Sequence, residues 1–354
     1  ALFVCGITGA GQKADEGAQS SGKNRLLVLP VLFYTPLTKI AVGGGGILYL
    51  NSLRDDGNHR PSSLFFDTIF TQKSQVIIEV VPDLYLNRGR FHVSAYAGFK
   101  AFTEKFYGVG PDAAQDREES FSYRILKASL VLSRRMGRSL YLGVKSVFDS
   151  YKVTSVEAGG LLDAMALKQR GGESVSGLGV VAVLDTRNNI FFPGKGVFLT
   201  ASGTLFRPSL GSDYRFQKVS FDFREYIPCF SGHVLALQQS LNLASGDVPF
   251  HWLNSLGGPM VMRGYIQGRF RDRNSLYVQV AYRFPLIWRL SASGFLGVGD
   301  VAPRAGSFRF GKLKLAGGWG LRFRIDQDTG TNIRLDFGFA RGSFGVYAMV
   351  NEAF

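Results

Sequence analysis

Two cysteines, Cys5 and Cys229, and four histidines, His59, His92, His233 and His251, are all that this 354-residue chain offers to sulfur or imidazole chemistry. Two thiols so far apart make no disulfide framework. No histidine has metal-ligand spacing to a cysteine or to another histidine, so no metal site is expected. His92 and Ser94 share a face of one segment but lack an orienting partner, so no catalytic serine–histidine pair is expected either. The GxG runs are not followed by a helix and so are not phosphate loops. The expectation is a protein with no catalytic residue and no cofactor, not an enzyme. A further absence is any apolar run near the roughly 18 residues of a membrane helix. Helix formers are not dominant, and only Leu161 to Gln169 looks locally helical.

The net charge is +14. Lysine and arginine are dispersed along the chain and alternate with apolar residues, whereas a nucleic-acid binder gathers them in a patch or tail. The dispersion suits a basic lumen or rim that meets anionic lipid headgroups, so lipid and not nucleic acid is the expected contact. What is abundant is glycine (44) and phenylalanine (30). Ala1 to Val4 are apolar, Gly6 to Gly11 small, and Gln12 to Lys23 polar. Residues 1–23 are therefore expected to be the remnant of an export signal with a flexible linker, ahead of one domain spanning 24–354.

From Arg25 onward, period-two segments alternate with turn residues. In Lys312 to Ile325 the even positions are charged or small (Lys312, Lys314, Gly318, Arg322, Arg324). The odd ones are mostly apolar (Leu313, Leu315, Trp319, Leu321, Phe323). After the turn Gln327 to Gly330, Asn332, Arg334, Asp336 and Gly338 alternate with Ile333, Leu335, Phe337 and Phe339. Such alternation gives each strand one apolar and one polar face. Long strands, no helical layer to cover them, and aromatic pairs at strand ends (Phe33-Tyr34, Phe106-Tyr107, Phe191-Phe192) point to lipid on the apolar side. In hydrocarbon every backbone donor needs a partner, which requires closure. The expected fold is all-β: a closed antiparallel transmembrane β-barrel of about sixteen strands. Strand centres are expected near Leu32, Ile47, Phe66, Ile78, Tyr96, Ile125, Leu142, Val181, Leu199, Phe221, Leu237, Val280, Leu296, Leu321, Leu335 and Val346. Long connections follow strands five, seven and eleven.

The connection after strand eleven contains LGGPMVMRGYIQGRFRDRN, Leu256 to Asn274. Leu256-Gly257-Gly258 with Val261-Met262-Arg263-Gly264-Tyr265 resembles the GG…VRGY element of the BamA/TamA-type outer-membrane assembly barrels, the bacterial surface antigen superfamily. Leu184-Asp185-Thr186-Arg187 with Pro193-Gly194-Lys195-Gly196 resembles that family's D-x-R…P-x-x-G periplasmic turn. Tyr282-Arg283-Phe284-Pro285, Gly318 to Phe323, Arg334-Leu335-Asp336, a terminal Phe354, and Phe106 to Gly110 are similar to further family stretches, in the same order. The resemblance covers the last 180 residues well and the first half loosely.

It implies a bacterial outer-membrane location and an extracellular loop folded into the lumen, with Arg263 paired to an inner-wall acid. In the family that acid stands in F-x-D-x-G, but Phe295-Leu296-Gly297-Val298-Gly299 has glycine there. Asp300 follows with the opposite parity, pointing outward or at the rim. Asp336 is the first choice of partner, with Asp222 and Asp300 as the other candidates. The resemblance also implies a weak seam between first and last strands, at Pro30, Pro36, Gly345 and Phe354, since proline removes a ladder donor. Only some twenty residues precede the first strand, so the expectation is a barrel-only member without polypeptide-transport-associated repeats. The implied function is insertion, assembly or translocation of outer-membrane proteins, or local perturbation of the membrane. The partners would be outer-membrane lipids, unfolded outer-membrane proteins, and periplasmic or lipoprotein accessory subunits. A passive anion-favouring channel and a scaffold barrel binding lipoproteins stand as alternatives.

Overall fold

The structure, a computed structural model, describes residues 24–35, 39–50, 62–114, 116–165, 170–327 and 329–354. The expected leader and linker, Pro36, and most of the connection between the second and third strands lie outside them.

Eighteen strands form two sheets. The larger has sixteen antiparallel strands: β1 (Arg25–Thr35), β2 (Lys39–Tyr49), β3 (Ser63–Thr71), β4 (Val76–Leu86), β5 (Phe91–Phe106), β6 (Glu119–Met136), β7 (Leu140–Val156), β8 (Glu173–Asp185), β9 (Gly196–Phe206), β10 (Phe216–Phe230), β11 (His233–Gly246), β14 (Asn274–Ile287), β15 (Leu290–Ala302), β16 (Lys314–Arg324), β17 (Asn332–Ala340) and β18 (Ser343–Val350). They pair in chain order, each with its sequence neighbour. The short ribbon β12 (Asn254–Leu256) and β13 (Phe270–Asp272) stands apart, inside the connection from β11 to β14. Each of the sixteen strand centres read from alternation falls within a different strand of the large sheet. A short α-helix, Leu161–Met165, lies in the connection from β7 to β8.

The two faces are sorted opposite to those of a water-soluble protein. Val144, Val180 and Val219 stand in successive exposed positions on β7, β8 and β10, with Val180 at 65% exposure. Leu126, Leu178, Leu296, Leu315 and Trp319 are exposed on the same side. The other face buries Asp149, Glu173, Gln238, Gln279, Arg283, Arg322, Arg334 and Asp336. Alternation decides this: with side chains at period two, one register sends most large aliphatics out and most charges in. Phe230, Ile287 and Trp288 are exposed at the β10–β11 and β14–β15 turns, both at one end of the sheet.

The expected closure is corrected. Among the described residues no ladder joins β1 to β18. The sheet curls until its edges approach, since Leu27 and Leu29 of β1 share a small cleft with Val350 of β18. At one end side chains tie β1 and β2 to the turn between β16 and β17: Tyr49 Oη lies 2.6 Å from Thr331 Oγ1, and Arg25 Nη1 lies 3.0 Å from Asp326 Oδ2. Two local features keep backbone from pairing there. Pro30 has no N–H to give to a ladder. β18 has only eight residues and stops at Asn351, whose φ of 63° turns the chain off the strand path.

With the outer face against lipid, Val180→Arg should destabilise folding into liposomes by about 2–4 kcal/mol, the range for a cation near a bilayer midplane. Urea-dependent folding, followed by gel mobility, measures this. A change near zero would place Val180 in water.

Candidate functional site: a hairpin loop anchored on a buried carboxylate

The connection 247–273 does not extend away from the sheet. It lies on the charged face and touches both halves of it. Near its start a turn at Phe250–Trp252 packs against Phe106, Phe121 and Tyr151 of β5, β6 and β7. Trp252 Nε1 donates to Asp149 Oδ2 at 2.6 Å, and His251 Nε2 lies 3.2 Å from Asp149 Oδ1. His251 Nδ1 lies 3.0 Å from Glu173 Oε1 on β8, and its ring stacks on Tyr151 at 4.1 Å. Glu173 also accepts from Tyr214 Oη.

The tip, Val261 to Tyr265, sits against the other half. Met262 and Arg263 are buried. Met262 N donates to Gln279 Oε1 on β14 at 2.9 Å, and Met262 has a φ of 51°. Gly264 N donates to Tyr347 Oη at 3.0 Å, and Ser343 Oγ donates to Gly264 O at 2.7 Å, so the tip is bonded to the edge strand β18. Gly264 has φ 120°, and a Cβ on it would fall 2.6 Å from the carbonyl carbon of Phe339. On the facing strand a Cβ at Gly338 would meet the Arg263 carbonyl carbon at 2.6 Å. Two glycines therefore let loop backbone lie directly on β17 backbone.

That approach delivers Arg263 to Asp336. Arg263 Nη1 is 2.5 Å from Asp336 Oδ2, and its guanidinium lies 3.5 Å from the centre of the Phe295 ring. Asp336 is shared. Arg322 Nη1 reaches its other oxygen at 2.7 Å, and Arg334 Nη1 reaches Oδ2 at 2.5 Å. Arg322 Nε also lies 3.3 Å from Glu352, and Arg334 Nη2 donates to Pro259 O at 3.0 Å. Three buried guanidiniums thus converge on one carboxylate, and Glu352 adds a second acid beside Arg322. Burial pulls the Arg263 pKa down to about 10, against the opposing pull of Asp336.

The other residues expected from the sequence occupy distinct places. Asp222 faces the same side but is taken by Arg224 Nε at 2.6 Å and Gln238 Nε2 at 2.6 Å. Asp300 keeps the parity of the exposed Leu296 and lies two residues from the end of β15. It is wholly buried, accepting from Lys314 and, at 3.1 Å, from the Arg309 amide, because β15 there runs into packed loop on both sides. Gly257 and Gly258 carry φ of 106° and 117° at the base of the hairpin. Tyr265 packs edge-on to Phe270 at 5.3 Å. Gly345 lies on β18, opposite Gly338. Phe354 is corrected: it is not on the seam. The chain turns at Asn351 and buries Phe354 with Tyr226, Ala236, Ala281 and Phe295 on the charged face.

The turn motif is compact. Arg187 clasps Asp185 with two bonds, 2.9 and 3.0 Å, and stacks on Phe198. The Gly196 φ is 112°. Pro193 O accepts from Arg283 at 2.6 Å, and Asn189 Nδ2 donates to Thr329 O at 2.8 Å, joining this turn to that between β16 and β17.

Reading the sequence missed Arg322 and Arg334 as partners of Asp336, although alternation put all three on one face. It also missed His251, Asp149 and Glu173, which are far apart in sequence and carry no spacing signal. Among the described residues no group of histidines, cysteines and carboxylates could hold a metal.

An antiparallel sheet with aliphatics outward, charge inward and a basic hairpin bound to the charged face is the arrangement of a bacterial outer-membrane barrel. The chain belongs to the Omp85 superfamily, whose domain matches residues 80–344. Among solved structures it is similar to BamA from Haemophilus ducreyi lacking POTRA domains 1–3 (14% identity, TM-score 0.60, covering 93% of this chain and 69% of that one). It is also similar to CdiB from Acinetobacter baumannii (14%, TM-score 0.55, 90% and 56%) and CdiB from Escherichia coli (10%, TM-score 0.57, 92% and 61%). This chain therefore spans less than two thirds of either CdiB chain, and identities this low show a shared fold. No curated protein sequence matches it.

Removing one member of a buried ion pair costs about 3–5 kcal/mol, because the partner charge is left unmatched. Arg263→Ala leaves Asp336 with two guanidiniums, whereas Asp336→Ala strands Arg263 and Arg334 and leaves Arg322 only Glu352. Asp336→Ala should therefore destabilise the fold more than Arg263→Ala, and Arg263→Ala should chiefly free the loop. Urea midpoints and trypsin cleavage within 247–273 read the two effects. Equal midpoints with an uncut loop in Arg263→Ala would contradict the assignment.

His251 supplies a pH dependence. Burial lowers the imidazole pKa, but the flanking carboxylates Asp149 and Glu173 outweigh it, and the net shift is upward. A raised folded value means stability fully present below the unfolded value of about 6.5 and lost as pH climbs through the folded one. Intrinsic-rate-corrected amide protection at residues 250–252 should fall across that window, and His251→Gln should flatten it. A flat wild-type profile would show that the imidazole carries no charge there.

Proposed function

We propose that this chain is a transmembrane barrel domain, residues 24–354, that helps other outer-membrane polypeptides to insert, assemble or cross. In this reading the curled sheet surrounds a lumen, the connection 247–273 is the loop folded into it, and the unladdered edge between β1 and β18 is where the wall parts. The partners are outer-membrane lipid and unfolded barrel polypeptides, with periplasmic or lipoprotein subunits presenting them. The protein performs no bond-making chemistry; it lowers a barrier to insertion.

The observation that carries the reading is the seam. Among the described residues the edges meet through side chains at one end and through an apolar cleft, without backbone bonds along their length. Each missing ladder bond lowers the cost of separating the edges, since a net hydrogen bond contributes about 0.5–1.5 kcal/mol. The loop is coupled to that seam, because Gly264 and Tyr265 are bonded to Ser343 and Tyr347 of β18. Freeing the loop would loosen the strand whose outer edge is already unpaired. Membership of the Omp85 superfamily supports the same class of function.

The test is reconstitution into liposomes with a urea-denatured barrel as client. The intact chain should speed client insertion over empty liposomes. With Cys5 and Cys229 replaced by serine, a Leu27→Cys and Val350→Cys pair bridged by a short bis-maleimide should abolish the gain, and the unbridged pair should retain it. Full activity with the bridge in place would remove lateral opening. Steady conductance with no effect on the client would identify a passive channel. A stable co-purifying partner with neither activity would identify a scaffold.

A further inference from the structure

Away from the Asp336 cluster, three lysines from three strands face one cavity of about 260 Å³ on the inner side of the sheet. Lys145 on β7, Gly179 on β8, Thr204 on β9 and Lys218 on β10 stand in one row of paired residues. Gly179 keeps the wall between the two lysines open. A Cβ there would fall 2.2 Å from Gly203 O and 2.8 Å from Thr204 Oγ1. Lys127 enters from β6. The roof is Trp252 of the folded-in connection, whose ring centre is 5.1 Å from Lys127 Nζ and 5.5 Å from Lys218 Nζ. That indole is fixed by its bond to Asp149.

The charges lining this cavity are all positive, while Lys127 and Lys218 also border the adjoining cavity that Glu79, Glu104 and Asp149 line. Asp149, opposite Lys127 in register, has its two oxygens turned to Trp252 and His251. Among the described residues none of the three ammonium groups is hydrogen-bonded or ion-paired, and their contacts are the two with the Trp252 ring. Three like charges converging at a part-buried wall repel one another and call for a counter-charge. Cation–π contact offsets only part of that. Ser129, Ser202, Thr204, Ser220 and Asn242 supply neutral donors, and Val147 and Phe206 complete the lining. Three point charges with a ring of hydroxyl and amide donors match a compact, multivalent, tetrahedral acceptor. Chloride offers one charge and no oxygen for those donors.

We infer that this cavity is a binding site for a phosphate-type oxyanion, held by Lys127, Lys145 and Lys218 beneath Trp252. The inference goes beyond the assembly reading and does not depend on it, needing only the packing of the 247–273 connection on the inner face. The chemistry is the same for free phosphate and for a phosphate monoester.

The chain has three tryptophans, so W288F with W319F leaves Trp252 as sole reporter. Full-length protein in detergent, checked for folding by heat-modifiable gel mobility, is titrated with inorganic phosphate, methyl phosphate and chloride at constant ionic strength. Trp252 fluorescence should change saturably with both phosphates and not with chloride. Lys218→Gln should weaken binding about tenfold, the effect of losing one charge-assisted contact, and Lys218→Arg should preserve most of it. Tighter binding of the ester identifies an esterified ligand; equal or weaker binding identifies the free ion. Indistinguishable responses to phosphate and chloride, or unchanged binding in Lys218→Gln, would overturn the site. Should the double tryptophan variant fail to fold, calorimetric titration of the unaltered chain and of Lys218→Gln distinguishes the same outcomes.

Discussion

One carboxylate organises the interior. Asp336 takes Arg263 from the loop, Arg322 from β16 and Arg334 from its own strand, in a place where water has been displaced by Phe295 and the chain's last residues. A buried carboxylate is tolerated only when its charge is matched and its lone pairs are filled, and buried guanidiniums are subject to the same condition. Neither side satisfies that condition without the other. The hairpin is thereby held on the charged face as long as Asp336 is charged. Asp222 and Asp300 are committed to Arg224, Gln238 and Lys314, whereas Asp336 takes the loop arginine alongside Arg322 and Arg334.

The packed interior and the unpaired edge are linked through β18. That strand is short, its last ladder residue is followed by a left-handed asparagine, and its side chains Ser343 and Tyr347 hold the loop tip. The outermost strand therefore borrows support from the interior in place of a second neighbour. At the opposite end Arg25 of β1 and Tyr49 of β2 are tied to Asp326 and Thr331 of the β16–β17 turn. An edge held by side chains costs less to separate than one held by a continuous ladder.

Parity explains most of what could be read from the chain alone. The alternation at Lys312 to Ile325 and Asn332 to Phe339 assigns faces without any knowledge of neighbours, and it placed Arg322, Arg334 and Asp336 together on the charged side. At Asp300 parity gave the side but not the burial. Beyond Val298 the strand is covered by loop on both faces, and period two no longer sorts buried from exposed. It also had nothing to say about Phe354, because a single turn at Asn351 reverses which side the last residues meet.

Strand number, order and polarity of the two faces were determined by the sequence itself, since each depends on side chains at period two and on turn residues a few positions apart. Which acid receives Arg263, how Trp252 and His251 reach Asp149, and whether the sheet's edges share a ladder were decided only by tertiary structure. Those outcomes depend on the curvature of a sixteen-stranded sheet and on the path of a long connection across it. They bring together residues separated by many strands, whose mutual distance no local pattern encodes.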